Sequence, residues 1–406
     1  MQKKDSWLLP DGIDEVLPEQ AEYLETLRRQ LLDSFATWGY QQVIPPFVDF
    51  LDSLLTGSGH DLNLQTFKLT DPISGQMLGV RADMTPQVAR IDSHNLKHEW
   101  PTRLCYAGTT LNAIGDGLEK TRSPMQIGAE LYGHNGIESD YEVIRLMLEM
   151  LAISGVQNLH LDLGHVGIYR ALSEQANLNQ QQEAELFDVL QRKARAELEE
   201  LVNSFAIEPA FKKLFITLPK LNGDRDVLNQ ATNLMLEECK SVLLNKTDKC
   251  KIQKALADLQ SLADKLQRDF PSLTVSFDLA ELRGYHYHTG IVFAAFTPSI
   301  GREIARGGRY DNIGQIFGRA RAATGFSADL KVLVNLFKAS ISAEANTIIF
   351  APYGEDQDLL HAIRDLRAQG TTVIQNLPNQ LGTPHDLGCT AILEKQDQRW
   401  VVKPLA

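Results

Sequence analysis

The stretch R-G-Y-H-Y-H-T-G, residues 283–290, lies between two segments that have the residue pattern of β-strands. Before it, Val275, Phe277 and Leu279 alternate with polar residues, as expected for a strand with one buried face. After it, residues 291–296 form a continuous apolar run, which is typical of a strand inside a core. The sheet is therefore expected to be completed on both sides of this stretch, late in the chain.

The first third of the chain predicts one long helix followed by antiparallel strands. Helical spacing before Gly39 is shown by Leu24, Leu27, Leu31, Phe35 and Trp38. Prolines at positions 45 and 46 exclude helix from the segment that follows. Strand patterns then occur at 67–69, 77–80, 104–107 and 125–131, the first two joined by a turn. Antiparallel strands with helices at the side indicate an α+β fold, not a doubly wound sheet.

The remaining segments predict an insertion and a second domain. Residues 166–270 are helical in character, with one helix from Gln181 to Val202 and another carrying apolar residues at helical spacing from Ile252 to Leu266. This helical insertion interrupts a core that we expect to span residues 1–338. Residues 339–346 are small and polar and are predicted to be a linker. We expect residues 339–406 to form a small C-terminal α/β domain, with a helix ending before Gly370.

Composition favours a cytoplasmic globular protein. The chain has 43% hydrophobic and 23% charged residues, and a net charge of −12. This balance provides no overall electrostatic attraction for a nucleic acid. No two of the four cysteines form a C-x-x-C motif, so free thiols in a reducing compartment are favoured over disulfides. No run of 18 apolar residues predicts a membrane span.

Three polar side chains in the strand region predict a binding site for a small zwitterion. Asp83, Gln126 and Glu130 are expected on neighbouring strands, where two carboxylates and an amide would converge. Such a cluster of acceptors suits an ammonium group and an imidazole N–H. Arg283 has the guanidinium fork that pairs with a carboxylate. Together they predict a site for an amino acid with a polar side chain.

Four blocks in a fixed order resemble the core of histidyl-tRNA synthetase, a class II aminoacyl-tRNA synthetase. They are L-G-V-R-A-D-M-T-P-Q at 78–87, M-Q-I-G-A-E-L at 125–131, R-G-Y-H-Y-H-T-G at 283–290 and A-R-G-G-R-Y-D-N-I at 305–313. The resemblance covers roughly residues 8–337. It implies an antiparallel sheet flanked by helices and histidine as the ligand, with Thr85 and Tyr287 also lining the pocket.

The sequence departs from the synthetase where ATP would be activated. The family supplies an arginine in its second motif and another near the end of its third. The matching positions here are Asn112 and Val332, with Lys331 next to the latter. The loop at 115–123 is also neutral where that of the synthetase is basic. Losing one such donor costs about 3–4 kcal/mol of transition-state stabilisation, so no catalytic residue is predicted.

His286 and His288 allow a second interpretation of the third block. Two histidines at positions i and i+2 of a strand share a face and could hold a metal ion. Hydrogen bonding within a pocket wall is the favoured interpretation, because no third ligand is evident. We therefore predict neither a metal nor a cofactor.

The variant blocks resemble more closely the regulatory subunits of short-form ATP phosphoribosyltransferase, which are paralogues of histidyl-tRNA synthetase. The resemblance implies a homodimer that joins a short catalytic subunit in a hetero-octamer. It implies activation of that subunit and inhibition by histidine in the first step of histidine biosynthesis, without tRNA or membrane binding. The alternatives are an active histidyl-tRNA synthetase, a stand-alone histidine sensor and a chain that retains tRNA affinity.

Overall fold

The computed structural model describes residues 8–55, 60–115, 121–241, 246–285, 287–340 and 347–405. The chain divides into two compact units, Met1–Ser340 and Ile341–Ala406. Within the described ranges, no helix is both long enough and apolar enough to cross a membrane.

Helix α1 (Pro18–Thr37) opens the larger unit and confirms the predicted amphipathic helix. Its proline at the first turn fixes a helical φ where no backbone donor is needed. The predicted apolar face is buried, since Leu27, Leu31 and Phe35 are fully inaccessible to solvent. Gly39 has φ +81° just beyond the helix, a left-handed conformation that glycine adopts without strain.

A small antiparallel sheet follows α1 and confirms the predicted hairpin. The elements in this segment are β1 (Gln41–Gln42), β2 (Val48–Phe50), α2 (Leu51–Leu55), α3 (His60–Gln65), β3 (Phe67–Thr70), β4 (Met77–Val80) and α4 (Thr85–Arg90). Strands β2, β4 and β3 pair in that order. The chain leaves β4 through a bend at residues 81–84 and enters α4. The Met84 N–H donates to Gln126 Oε1 at 2.9 Å, which holds this bend next to the main sheet.

The segment between the small sheet and the C-terminal strands is mainly helical. Its elements are β5 (Thr102–Thr109), β6 (Met125–Tyr132), α5 (Ile137–Ile153), β7 (His160–His165), α6 (Val166–Gln175), α7 (Gln180–Gln191), α8 (Arg195–Ser204), α9 (Pro209–Thr217), β8 (Asn222–Gly223), α10 (Asp226–Ser241) and α11 (Lys246–Asp269). The single helix predicted for 181–202 is wrong, because Lys193 has φ +53° and separates α7 from α8. The apolar face of α11 shares one hydrophobic core with the sheet, so the helical segment packs on the core.

The last elements of the larger unit complete a nine-stranded sheet. They are β9 (Thr274–Asp278), β10 (Ile291–Thr297), β11 (Ile300–Arg309), β12 (Ala323–Asp329) and α12 (Leu330–Ser340). The strand order is β1-β5-β6-β12-β11-β10-β7-β9-β8. The pairs β1–β5 and β7–β9 are parallel and the other neighbours are antiparallel. The predicted α+β class, with helices beside a largely antiparallel sheet, is confirmed.

Two buried ion pairs connect distant segments around this sheet. Arg309, at the end of β11, donates through Nη2 to Asp140 Oδ2 at 2.7 Å and through Nε to the same oxygen at 3.1 Å. Nη2 also donates to Ser139 Oγ at 2.8 Å, so β11 is attached to the first turn of α5. Arg321 makes the second pair, with Asp92 at 2.6 Å.

The smaller unit is an α/β domain, as the sequence predicts. It contains β13 (Ile348–Ala351), α13 (Gln357–Ala368), β14 (Thr372–Gln375), β15 (Ala391–Gln396) and β16 (Arg399–Pro404), with strand order β14-β13-β15-β16. Asp356 caps α13 by accepting from the Asp358 N–H at 3.1 Å, and Gly370 follows the helix with φ +84°. Of the predicted linker, residues 339 and 340 belong to α12, and residues 341–346 lie outside the described residues.

Candidate functional site

A cavity of about 450 Å³ lies against one face of the main sheet. Strands β6, β10, β11 and β12 contribute to its wall, together with the bend before α4 and the segment before β10. All six residues predicted to bind the ligand line this cavity, namely Asp83, Thr85, Gln126, Glu130, Arg283 and Tyr287. The structure therefore brings together residues that are up to about two hundred positions apart in the chain.

Strand register leaves room on the sheet for the side chain of Glu130. Glu130 of β6 pairs with Gly325 of β12, and Gly325 pairs with Gly308 of β11. A Cβ atom at Gly325 would lie 1.5 Å from Glu130 Oε2, so a larger residue there would displace the carboxylate. Glycine is thus required at position 325 because the Glu130 side chain lies so close to it, and not because the chain turns there.

Glu130 is the most deeply buried acid of the cavity, with 1% of its surface exposed. Its Oε1 accepts hydrogen bonds from Thr85 Oγ1 at 3.0 Å and from the Tyr106 hydroxyl at 2.9 Å. The Tyr310 hydroxyl donates to Oε2. Burial raises the pKa of Glu130 to about 8, because the charged form is poorly solvated, although the three hydroxyl donors act in the opposite direction. A positive charge placed beside this carboxyl would favour its ionised form.

Asp83 and Gln126 form a second polar pair beside Glu130. The Gln126 carbonyl oxygen accepts from the Met84 N–H at 2.9 Å, which directs the amide nitrogen towards Asp83 Oδ1 at 2.7 Å. The Thr85 N–H also donates to Asp83 Oδ1, at 3.0 Å. Asp83 lies in the bend before α4, so its predicted position on a strand is wrong. The bend nevertheless brings its carboxylate to the end of β6 that carries Gln126.

Two tyrosines of the site were not predicted from the sequence. Tyr106 and Tyr310 are both buried, and both donate to Glu130. Tyr310 lies within the quoted block at 305–313, so its place in the site could have been predicted from that block. Tyr106 reaches Glu130 because β5 pairs with β6, and this register cannot be obtained from local spacing.

Arg283 lies on the cavity wall with its guanidinium between two carboxylates. Its Nη1 donates to Glu303 Oε2 at 3.1 Å, and its Nε lies 3.5 Å from Glu281 Oε1. Its role in binding a ligand carboxylate stays a prediction. The structure shows that its positive charge is already compensated by neighbouring groups of the chain.

Residues 283–285 and 287 form turns, and His288 lies outside any strand, so the strand predicted for His288 is wrong. His286 lies outside the described residues. His288 is buried, its Nδ1 is 3.0 Å from the Arg283 carbonyl oxygen, and burial lowers its pKa to about 4. Across the described ranges, no group of three or more His, Cys, Asp or Glu residues is arranged to hold a metal ion.

Asn112 and Val332, the two positions predicted to replace arginines, also line the cavity. Asn112 is held by a β-bridge to Thr66, and Val332 is 8% exposed within α12. Lys331 directs its ammonium to Ser123 Oγ at 3.2 Å. Of the predicted neutral loop, residues 116–120 lie outside the described residues.

A family model described as Histidyl-tRNA synthetase matches residues 12–333. A solved structure described as an ATP phosphoribosyltransferase regulatory subunit/histidyl-tRNA synthetase from Bacillus halodurans C superposes with a TM-score of 0.80 at 27% identity. The superposition covers 96% of this chain and 97% of that one. The antiparallel sheet, its flanking helices and the acceptor-rich cavity thus define a protein with the class II aminoacyl-tRNA synthetase fold.

The C-terminal unit and the curated relatives specify the family. Residues 346–403 match a model described as ATP phosphoribosyltransferase subunit HisZ C-terminal domain. The ATP phosphoribosyltransferase regulatory subunit of Methylococcus capsulatus is 54% identical over 403 residues, which are 99% of this chain and 97% of the relative. That of Alkalilimnicola ehrlichii is 50% identical over 404 residues, covering 99% and 98%. The chain belongs to the family of ATP phosphoribosyltransferase regulatory subunits.

The raised pKa of Glu130 predicts a pH dependence of stability. Between the ordinary value of 4.5 and about 8, the folded chain retains a proton that the unfolded chain has released. The free energy of unfolding should therefore fall by roughly 1 kcal/mol per pH unit as the pH rises from about 5 to 8, and then level off. Urea unfolding of the parent and of Glu130→Gln between pH 5 and 9 measures it. Equal pH slopes in the two proteins would contradict this assignment.

Proposed function

We propose that this chain is a non-catalytic regulatory subunit that activates the short-form ATP phosphoribosyltransferase catalytic subunit and binds histidine as a feedback inhibitor. The first step of histidine biosynthesis would then be controlled in the cytoplasm by its end product. The observation that carries the proposal is the convergence of Asp83, Gln126 and Glu130 in one cavity. The names of relatives about 50% identical over nearly the whole chain support the regulatory role.

The cavity has the groups that histidine requires. Two carboxylates provide acceptors for its ammonium and its imidazole N–H, while the Gln126 amide is oriented by the Met84 N–H. Tyr287 lines the same cavity, and its ring centroid is 5.8 Å from that of Tyr310. An imidazole bound beside Glu130 would therefore also meet an aromatic wall.

Feedback inhibition requires that histidine bind unequally to two arrangements of the assembly. We propose a homodimer of this chain within a hetero-octamer with the catalytic subunit, as the resemblance implies. A coupling free energy of about 1–3 kcal/mol would give roughly 5- to 150-fold inhibition. No contact of this chain with the reacting substrates is needed.

Reconstitution tests the regulatory function. Mixing the full-length chain with a short-form catalytic subunit should raise phosphoribosyl transfer to ATP, and histidine should lower that rate by a factor within the range given above. Glu142→Gln serves as a control variant, because Glu142 pairs with Arg103 and does not line the cavity. Its complex should keep the parent's activation and inhibition. Histidine binding without any effect on turnover would instead identify a stand-alone sensor.

An active histidyl-tRNA synthetase is the second candidate, favoured by the family model that matches residues 12–333. The synthetase forms histidyl-adenylate, so it exchanges pyrophosphate into ATP when histidine is present. We propose that Asn112 and Val332 stand where the synthetase has arginines and that this chain is silent in that assay. Exchange by the purified chain alone would reject the non-catalytic proposal.

A further inference from the structure

The cavity is also lined by arginines that lie beside glutamates, and one of them, Arg306, is not among the predicted site residues. Arg306 of β11 lines the cavity and pairs in register with Ser327 of β12, which in turn pairs with Gly128 of β6. Residues in register across a sheet share a face. Arg306 therefore lies on the same face as Glu130, two strands away, at a backbone separation of about 12 Å.

Two glycines in the row next to Arg306 leave room for other groups on this face. The Glu130 carboxylate lies over Gly325, and the ring of His288 packs over Gly308. Tyr287 borders the same cavity. Burial raises the pKa of Tyr287, and the negative charges of Asp83 and Glu130 add to this rise, whereas the positive charge of Arg306 opposes it. Tyr287 is thus close enough to feel both the two carboxylates and the Arg306 guanidinium, as expected for a site that binds a dipolar ligand.

Arg306 is better placed than Arg283 to accept a ligand anion. The guanidinium of Arg283 lies between Glu303 at 3.1 Å and Glu281 at 3.5 Å. Arg306 shares Glu303 with Arg283, at 3.3 Å, and 62% of its side chain is exposed. A guanidinium has five N–H donors, so one shared carboxylate leaves donors of Arg306 for a ligand. Arg283 also has donors to spare, but its positive charge is shared between two carboxylates, whereas that of Arg306 is paired with one.

We propose that Arg306 binds the carboxylate of the amino acid, while Asp83 and Glu130 bind its cationic groups. This assignment rests on the proposed function, since it takes the ligand of the cavity to be histidine. Arg283 then keeps its contacts with Glu303 and Glu281 and does not contact the ligand carboxylate. The cavity would then distinguish a zwitterion from a simple amine, because only the zwitterion has a carboxylate for Arg306 to bind.

Titration calorimetry of the full-length chain with histidine and with histamine, which lacks the carboxylate, tests this assignment. The parent should bind histidine more tightly than histamine. Arg306→Gln should weaken histidine binding roughly 10- to 100-fold and leave histamine binding nearly unchanged. The ratio of the two affinities should then approach one. Arg283→Gln is the comparison variant, and it should retain the parent's ratio even if both affinities change.

The outcomes separate this inference from the proposed function. A parent ratio that persists in Arg306→Gln, or that is lost only in Arg283→Gln, would overturn the assignment while histidine binding itself remained intact. If the parent bound neither ligand, the histidine site would be rejected and this inference with it. Far-ultraviolet circular dichroism of both variants shows that each chain is folded, which is expected because the two arginine side chains are 42% and 62% exposed.

Discussion

Replacing Glu130 by Gln is expected to lower the affinity for histidine roughly 10- to 150-fold at pH 8.5. The physical reason is the loss of one charged partner of a buried hydrogen bond, which is worth about 1.5–3 kcal/mol. Gln keeps the shape and still accepts from Tyr106, whose hydroxyl is 2.9 Å from the carboxylate. The loss would therefore report charge and not packing. Calorimetric titration of the full-length chain measures it.

The same substitution should abolish a proton release that accompanies binding. At pH 7 the free carboxyl is mostly protonated, because burial raises its pKa to about 8. A cation placed beside it favours ionisation, so binding expels the proton. Titrations at pH 7 in buffers of different ionisation enthalpy detect this release as the difference between the parent and Glu130→Gln.

Glu142→Gln serves as the control for both measurements. It makes the same chemical change at a half-buried carboxylate, which pairs with Arg103 at 2.6 Å and does not line the cavity. Its histidine affinity and proton release should equal those of the parent. If Glu130→Gln also bound histidine like the parent at pH 8.5, the ligand would have to bind elsewhere, and the proposed site would be rejected.

Replacing Arg309 by Met is expected to reduce the free energy of unfolding by about 3–5 kcal/mol, because it leaves the charge of Asp140 buried without a partner. Asp140 is 1% exposed, so water cannot replace the lost guanidinium. The substitution also removes the hydrogen bond to Ser139. Such a loss is a large share of the roughly 5–15 kcal/mol that stabilises a typical domain. Urea unfolding measures the change, with one shared slope of the free energy of unfolding against urea concentration fitted to the parent and the variant.

Two further variants make this prediction specific to the pair. Arg309→Met combined with Asp140→Leu removes both charges, and it should recover most of the lost stability. Arg192→Met removes an arginine that pairs with Asp188 and Glu197 on the surface, and no resolvable loss of stability is expected. A double variant as unstable as Arg309→Met would show that the unpaired carboxylate is not the cause.

Arg309 also links stability to the site through its neighbour in the chain. Tyr310 donates to Glu130, and its position depends on how the end of β11 is held against α5. We therefore expect Arg309→Met to weaken histidine binding in proportion to this loosening. The Glu130→Gln variant separates the two effects, because it alters the ligand contact without touching the ion pair.

Periodicity and the order of motifs in the sequence determine much of this protein. The apolar spacing from Leu24 to Phe35 specifies α1, and alternating strand patterns specify the α+β class. Gly39 and Gly370 mark the ends of helices because their left-handed φ values are a local requirement of the backbone. Three of the four ordered blocks contain the six predicted site residues, all of which line the cavity. Each of these features depends on neighbours within a few positions, or on a fixed order of short segments.

The tertiary structure alone decides how the site residues are used. The hydroxyls of Tyr106 and Tyr310 reach Glu130 because β5 and β12 pair with β6 and the chain leaves β11 beside them. The compensation of Arg283 by Glu281 and Glu303, and the exposure of Arg306, likewise depend on which segments meet. Strand register and the choice of ion-pair partner are set by packing between segments far apart in the chain. Local spacing carries no information about them. Many residues of the chain could form the same strand pairing or ion pair, and only the tertiary packing selects among them.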